Sequence, residues 1–324
     1  MEILTNIRDK IFSDKDFSAE ELALEFFHIH YQHNPLYKKY VDGLNIEPLS
    51  VKDWEAIPFL PIEFFKNHTI NLLDKTDVIF RSSGTTGSTN SQHFVGDITL
   101  YQTSFLKGFS HFFGDVRQYH FVGLLPSYLE REDASLVYMV NGLMDASGQR
   151  QKDFFLYNSK ACAERLETLK KDGKKIFLFG VTFALLELAK LSPNLQGHFV
   201  LETGGMKGRG KELIREELHS ILKASFNCTT IYSEYGMTEL LSQAYFLTSG
   251  HYECPPWMKI MVRDIYDPLD VILEGKGAIN VIDFTNLYSC PFIATSDIGI
   301  VYKDGFDIRG RMDHAEIRGC NLMF

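Results

Sequence analysis

Between residues 119 and 205 the chain alternates, at close spacing, runs that demand burial with stretches of helical character. No other feature narrows the fold as much. YHFVGLL (119–125) is apolar almost without a break, as a strand covered on both faces is, and SLVYMVNGLM (135–144) follows as a helix. A charged amphipathic segment from Ala161 to Lys171 precedes KIFLFG (175–180), then TFALLELAK (182–190), then HFVLETGG (198–205) entering a glycine turn. Strand and helix trading places at this interval predict a largely parallel sheet with helices on its faces, because parallel neighbours need a long crossover and a helix supplies it.

The flanks have a different character. Ser18 followed by Glu21 is a capping-box signal, and Leu22, Phe26 and Ile29 continue at helical spacing until Asn34-Pro35 closes the segment. WEAIPFLPIEFFK (54–66) holds two prolines in an apolar run, which predicts an extended ledge rather than a helix. Val78 to Arg81 is a short strand candidate, and Leu100 to Phe113 predicts a helix with Phe105, Phe109 and Phe112 on one face. Beyond residue 250 the runs WMKIMVRDI, GAINVIDF and CPFIATSDIGIVYK, separated by Pro, Gly and Asp, predict a smaller β-rich subdomain.

Charge excludes some functions. The 324 residues carry a formal charge of -9 with no basic block to offset it, which argues against nucleic acid and anionic lipid as partners and favours small-molecule chemistry. The opening MEILTNIRDKIF lacks a signal-peptide layout, and no apolar run approaches the roughly 20 residues of a membrane span. A cytoplasmic protein is expected. The five cysteines are widely spaced with no CxxC pair, which fits a reducing compartment and not a zinc knuckle. His28, His30 and His33 do not converge on one helical face, and His251 with Cys254 lacks convincing partners, so both groups read as ordinary residues.

Residues 80–87, FRSSGTTG, carry the first chemical signal. A strand running into glycines and hydroxyls can cradle phosphate, because glycine allows close backbone approach and Ser and Thr add donors to the exposed N–H groups. A P-loop NTPase does not fit: Gly84 and Gly87 are followed by Ser88, Thr89 and Asn90, and the lysine of that motif is missing. Taken alone, this stretch is equally well a polar surface turn. Four further stretches accompany it: ETGGMKG (202–208), YSEYGMTE (232–239), TSDIG (295–299) and GRMDHAEIRG (310–319).

In that order these motifs resemble the signature of the adenylate-forming enzymes: SGTTG, then YGxTE, TGD and GRxD. IPFLPIEFFK, LFGVTF, TGGMK, CPPW, SDIGIV and the terminal RGC are similar to the acyl-protein synthetases within that superfamily, across about residues 55–320. The resemblance implies an α/β fold of the adenylate-forming N-terminal-domain type, with mostly parallel sheet layers, a small β-rich subdomain and no C-terminal lid domain. It implies an N-terminal helical region over 1–80, a nucleotide-binding α/β region over 81–249, the β-rich subdomain over 250–310 and a tail over 311–324. Ser82, Ser83, Gly84, Thr85, Thr86 and Gly87 would hold the phosphates of ATP. Gly204, Gly205 and Met206 would border the nucleotide and acyl group. Tyr235 would flank the adenine, with Gly236 forming the turn beside it. Thr238 would contact the α-phosphate, Glu239 would ligate Mg²⁺, and Asp297 with Arg311 would bind the ribose. Phe183 either lines the acid pocket or packs the core.

Three departures from the family pattern stand out. No lysine follows the second glycine of the loop, Ser296 replaces the glycine of TGD, and the sequence stops soon after GRMD. The last of these disfavours a standard two-step CoA ligase. Cys320 matches the acyl-accepting cysteine of the acyl-protein synthetases and stands among Arg311, His314 and Arg318, which would lower its pKa. The implied activity is ATP-dependent activation of a fatty or aryl acid, with transfer to Cys320 and on to a reductase, acyltransferase or carrier protein. Two alternatives stand beside it: a compact ligase using CoA directly, and a non-catalytic nucleotide-binding subunit.

Overall fold

The structure is a computed structural model and describes residues 2–13, 18–82, 90–126, 133–204 and 213–312. Its contacts divide the chain into two units, one built from residues 1–77, 91–97 and 251 onward, the other from 78–90 and 98–250.

The second unit holds the expected parallel sheet. Strands Tyr119–Leu124, Lys175–Val181, Phe199–Thr203 and Tyr232–Tyr235 run side by side and parallel, with Phe121 opposite Phe177, Phe177 opposite Phe199 and Leu201 opposite Tyr232. Phe154–Phe155 extends one edge in parallel, and Ala244–Phe246 closes the other antiparallel to Tyr232–Tyr235. Helices Ile98–Phe113, Ser135–Ala146, Ser159–Leu169, Thr182–Ala189 and Arg215–Phe226 belong to the same unit. Phenylalanine fills the space between helix and sheet. Phe109 lies edge-on to Phe121 and Phe177 at ring-centroid distances of 5.2 and 5.0 Å, and Phe177 stacks on Phe199 at 5.5 Å. Such contacts add to area burial because the positive ring edge meets the negative face.

The helix from Ile98 buries Tyr101, Phe105, Phe109 and Phe113 at a four-residue step, and Phe112, seven residues after Phe105, lies on the face of Phe105 and Phe109 as expected. Phe112 is half-buried and meets Tyr245 edge-on at 5.3 Å.

The first unit is antiparallel, apart from one short strand. Its strand order is Val271–Ile272, Met258–Arg263, Gly275–Asp283, Phe292–Tyr302, Gly305–Arg311, Tyr252–Glu253. The long strand Phe292–Tyr302 gives one edge to Gly275–Asp283. The other edge is shared between Gly305–Arg311 and the parallel segment Leu60–Pro61, where Leu60 faces Ile293. The proline-rich ledge is therefore extended only at its centre, bracketed by a 3-10 turn at Trp54–Ala56 and a short helix at Phe64–Asn67. Arg263 ties this sheet together from inside: its guanidinium donates to the Ile279 carbonyl at 2.8 Å, Asn280 Oδ1 at 2.7 Å and the Thr295 carbonyl at 2.6 Å.

Helices Ala19–His33 and Pro35–Gly43 pack in the same unit. Ser18 caps the first through its Oγ, which accepts from Glu21 N, and Asn34 caps the second with proline at its first turn. Ser18→Ala is expected to lower the unfolding free energy by about 1 kcal/mol, read as a lower urea midpoint at unchanged slope. His30 is fully buried against Phe26, Tyr37 and Phe292, and among the described residues neither ring nitrogen has a well-formed hydrogen-bond partner, the Leu287 backbone lying near enough only for a weaker interaction. Burial pushes its pKa down to about 3, opposed in part by the Leu287 backbone.

Candidate active site

In the second unit the four central parallel strands all end in the same direction. Their carboxyl ends run into Leu125, Thr182, Gly204 and Gly236, which places those positions along one edge of the sheet. In open parallel sheets that edge is where ligands bind, because loops diverge there and helix N-termini point toward it. Gly204 and Gly236, from two separate motifs, thus come to neighbouring strand ends. Thr238 and the buried Glu239 follow within three residues of Gly236.

Both glycines are required by geometry. Gly204 ends its strand with φ at 75°, a left-handed conformation that side chains disfavour. At Gly236 the reason is space: a Cβ there would sit 2.1 Å from Oε1 of Glu234. The carboxyl of Glu234 folds over the turn and is held by Thr203, whose Oγ1 donates to Oε2 at 2.6 Å. Burial, with a smaller push from Glu202, raises the Glu234 pKa to about 7 against the lowering effect of the Thr203 bond. Glu202 accepts a hydrogen bond from Thr182 Oγ1. Tyr245 stands opposite Glu234 across the antiparallel pair, and among the described residues its buried hydroxyl has no hydrogen-bond partner.

Glu234 lies inside YSEYGMTE but is not among the expected site residues; four residues that include a serine and a glutamate give no strand period from which a buried carboxyl could be inferred.

The strand Val78–Arg81 leads to Ser82 and is anchored by Phe80, which lies edge-on to Tyr101 and Tyr138 at 5.5 and 5.6 Å. Arg81 donates through its backbone N–H to the Asp133 carbonyl at 3.0 Å and through Nη1 to Asp133 Oδ2 at 3.2 Å. Ser83, Gly84, Thr85, Thr86, Gly87, Gly205, Met206 and Cys320 lie outside the described residues.

Asp297 and Arg311 belong to the first unit and face each other across antiparallel strands, Arg311 Nε lying 3.4 Å from Asp297 Oδ1. The serine that replaces glycine in TSD has a structural partner. Ser296 Oγ donates to Glu63 Oε1 at 3.0 Å, tying the motif to the IEFFK segment, and the Ser296 carbonyl accepts from Met312 N at 2.7 Å. Among the described residues no group of three or more His, Cys, Asp and Glu could hold a metal. A Mg²⁺ ion shared with phosphate oxygens needs only one or two protein carboxylates, and the buried Glu239 suits that role.

No protein-family model matches the chain, and no curated protein matches it in sequence. Solved structures do match. ATP-bound MatB from Rhodopseudomonas palustris superposes with a TM-score of 0.55 at 16% identity, covering 74% of this chain and 48% of that one. The long-chain-fatty-acid-CoA ligase FadD1 from Archaeoglobus fulgidus gives 0.52 at 16% identity, covering 74% and 52%. The O-succinylbenzoate coenzyme A synthetase MenE from Bacillus subtilis, in complex with AMP, gives 0.53 at 16%, covering 74% and 50%. The fold is the adenylate-forming N-terminal-domain type. The chain spans about half the length of the structures it matches. Among the described residues, no helix is long and apolar enough to cross a membrane.

Proposed function

We propose that the protein activates a carboxylic acid with ATP as an acyl-adenylate and passes the acyl group to a thiol. The observation that carries this reading is the convergence of the ETGG and YGMTE turns on neighbouring parallel strand ends, in a fold shared with ATP-bound and AMP-bound enzymes. An oxygen of the acid's carboxylate attacks the α-phosphorus of ATP, the bond to the bridging oxygen breaks and pyrophosphate leaves. The resulting mixed anhydride turns an unreactive carboxylate into an electrophile with a good leaving group. The thiolate of Cys320, having lost its proton, attacks the acyl carbon and AMP departs with the anhydride oxygen.

The proposed roles follow the motifs. Ser82 to Gly87 contact the phosphates, Gly204 to Met206 border nucleotide and acid, Tyr235 and Gly236 flank the adenine, and Thr238 meets the α-phosphate. Asp297 and Arg311 take the ribose, and Glu239 holds Mg²⁺, which neutralises phosphate charge when bound. From Cys320 the acyl group moves to an accepting protein of the reductase, acyltransferase or carrier type, in the cytoplasm.

The test combines ATP, Mg²⁺ and a panel of fatty and aryl acids, followed through acid-dependent pyrophosphate exchange and through the mass of the Cys320 peptide. Exchange together with an acyl mass increase, lost in Cys320→Ser while exchange persists, is the expected result. Exchange without modification removes the cysteine step, and no exchange with any acid removes the activity. A second reading, direct use of CoA, is favoured by the likeness in fold to a long-chain-fatty-acid-CoA ligase and a coenzyme A synthetase. It requires CoA-dependent AMP release that survives Cys320→Ser.

A further inference from the structure

The sheet of the first unit ends in a hairpin whose side chains are distributed against the usual rule. Residues 264–274, DIYDPLDVILE, join strands Met258–Arg263 and Gly275–Asp283 and include the edge strand Val271–Ile272. Five large apolar side chains are exposed on it: Ile265 at 40%, Tyr266 at 82%, Leu269 at 43%, Ile272 at 48% and Leu273 at 41%. Single exposed apolar residues are ordinary, but five within eleven consecutive positions concentrate exposed apolar surface on this hairpin, as contact surfaces for a partner do.

The loop is held in this shape by its own polar groups. Asp264 Oδ1 accepts from Tyr266 N at 2.7 Å and Asp267 N at 3.0 Å, Asp267 Oδ1 accepts from Leu269 N at 3.1 Å, and Asp264 N donates to the Asp270 carbonyl at 2.9 Å. These bonds fix the backbone and leave the apolar side chains outside. Preorganisation lowers the entropy lost when such a surface is covered.

Charge identifies what covers it. Asp264, Asp267, Asp270 and Glu274 are interspersed among the apolar residues along the chain, and the stretch contains no lysine or arginine. A second copy placed edge to edge would bring like charges together, and an anionic bilayer surface would repel the same carboxylates. We infer that the 264–274 hairpin docks a separate protein through an apolar surface rimmed by lysine or arginine. This inference does not depend on the adenylation reading.

Two fluorescent peptides of the same length test it, one alternating Leu and Val with Lys, the other with Glu in place of Lys, titrated into the full chain. The Lys peptide is expected to bind at least about tenfold more tightly than the Glu peptide and to weaken as salt rises from about 50 to about 300 mM. Its affinity is expected to drop about tenfold both in Tyr266→Ser/Leu273→Ser and in Asp267→Asn/Asp270→Asn. Should the double serine variant fail to fold, Tyr266→Ser alone, at the most exposed position, is expected to show the same direction. Equal binding of the two peptides, or binding that the substitutions leave unchanged, overturns the inference. Self-association by sedimentation that Tyr266→Ser/Leu273→Ser abolishes assigns the surface to a second copy and overturns it as well. Binding to phosphatidylglycerol vesicles that the same variant abolishes does so in favour of lipid.

Discussion

Gly236→Ala is expected to cut acid-dependent pyrophosphate exchange by about 100-fold, since displacements of about 1 Å at a reacting centre cost that much. The added methyl would occupy the space 2.1 Å from Glu234 Oε1, so the carboxyl must swing away and break its bond to Thr203. The turn that carries Thr238 and Glu239 is then displaced from the neighbouring strand end at Gly204. Loss in the single variant alone would be open to many explanations, so the decisive measurement is the rescue. Shortening Glu234 to alanine in the same chain removes the clashing atom and restores space for the methyl. Gly236→Ala/Glu234→Ala is therefore expected to recover about tenfold of the lost exchange, with thermal unfolding of all three proteins recorded alongside. A double variant no better than Gly236→Ala would show that the glycine serves something other than room for Glu234.

The same pair of residues shows what the sequence could and could not convey. Strands at 119–124, 175–181 and 199–203 were legible because burial on both faces leaves an unbroken apolar run. Tyr232–Tyr235 was not foreseen as a strand: four residues, one of them a serine and one a glutamate, offer neither a run nor enough positions for a period. The YGMTE glycine could be recognised as a turn from residue type alone, whereas its cause, the Glu234 carboxyl lying over it, is a tertiary fact. The joining of residues 1–77 with those after 250 was out of reach for a related reason, since local periodicity carries no information about distant packing. Ser296 illustrates the converse. In sequence it is only a departure from TGD, and its bond to Glu63 shows what the hydroxyl does.

Two buried groups, His30 and Glu234, are expected to push the pH dependence of stability in opposite directions. His30 has its folded pKa lowered to about 3 from 6.5. Above pH 6.5 it is neutral folded or unfolded and contributes nothing. Below that the unfolded chain takes up a proton the folded chain refuses, so stability falls by about 1.4 kcal/mol per pH unit until the folded pKa is reached. Glu234 has its folded pKa raised to about 7 from 4.5. Below pH 4.5 it is protonated in both states; above, only the unfolded chain releases the proton, and stability falls by the same increment as pH rises to about 7. Between 4.5 and 6.5 these two slopes oppose each other, while His219, its folded pKa lowered to about 4 chiefly by burial, adds to the slope of His30. His30→Leu, which fills a site already lined by Phe26, Tyr37 and Phe292, removes one of them. Relative to the native protein, it is expected to gain about 2 kcal/mol at pH 5 over its value at pH 6.5. Glu234→Gln is expected to tilt the other way by a comparable amount, and the double variant to return to the slope of the native protein. Urea midpoints across this range measure all four proteins. If His30→Leu moves stability equally at every pH, the imidazole is not held neutral by burial, and its packing alone accounts for the change.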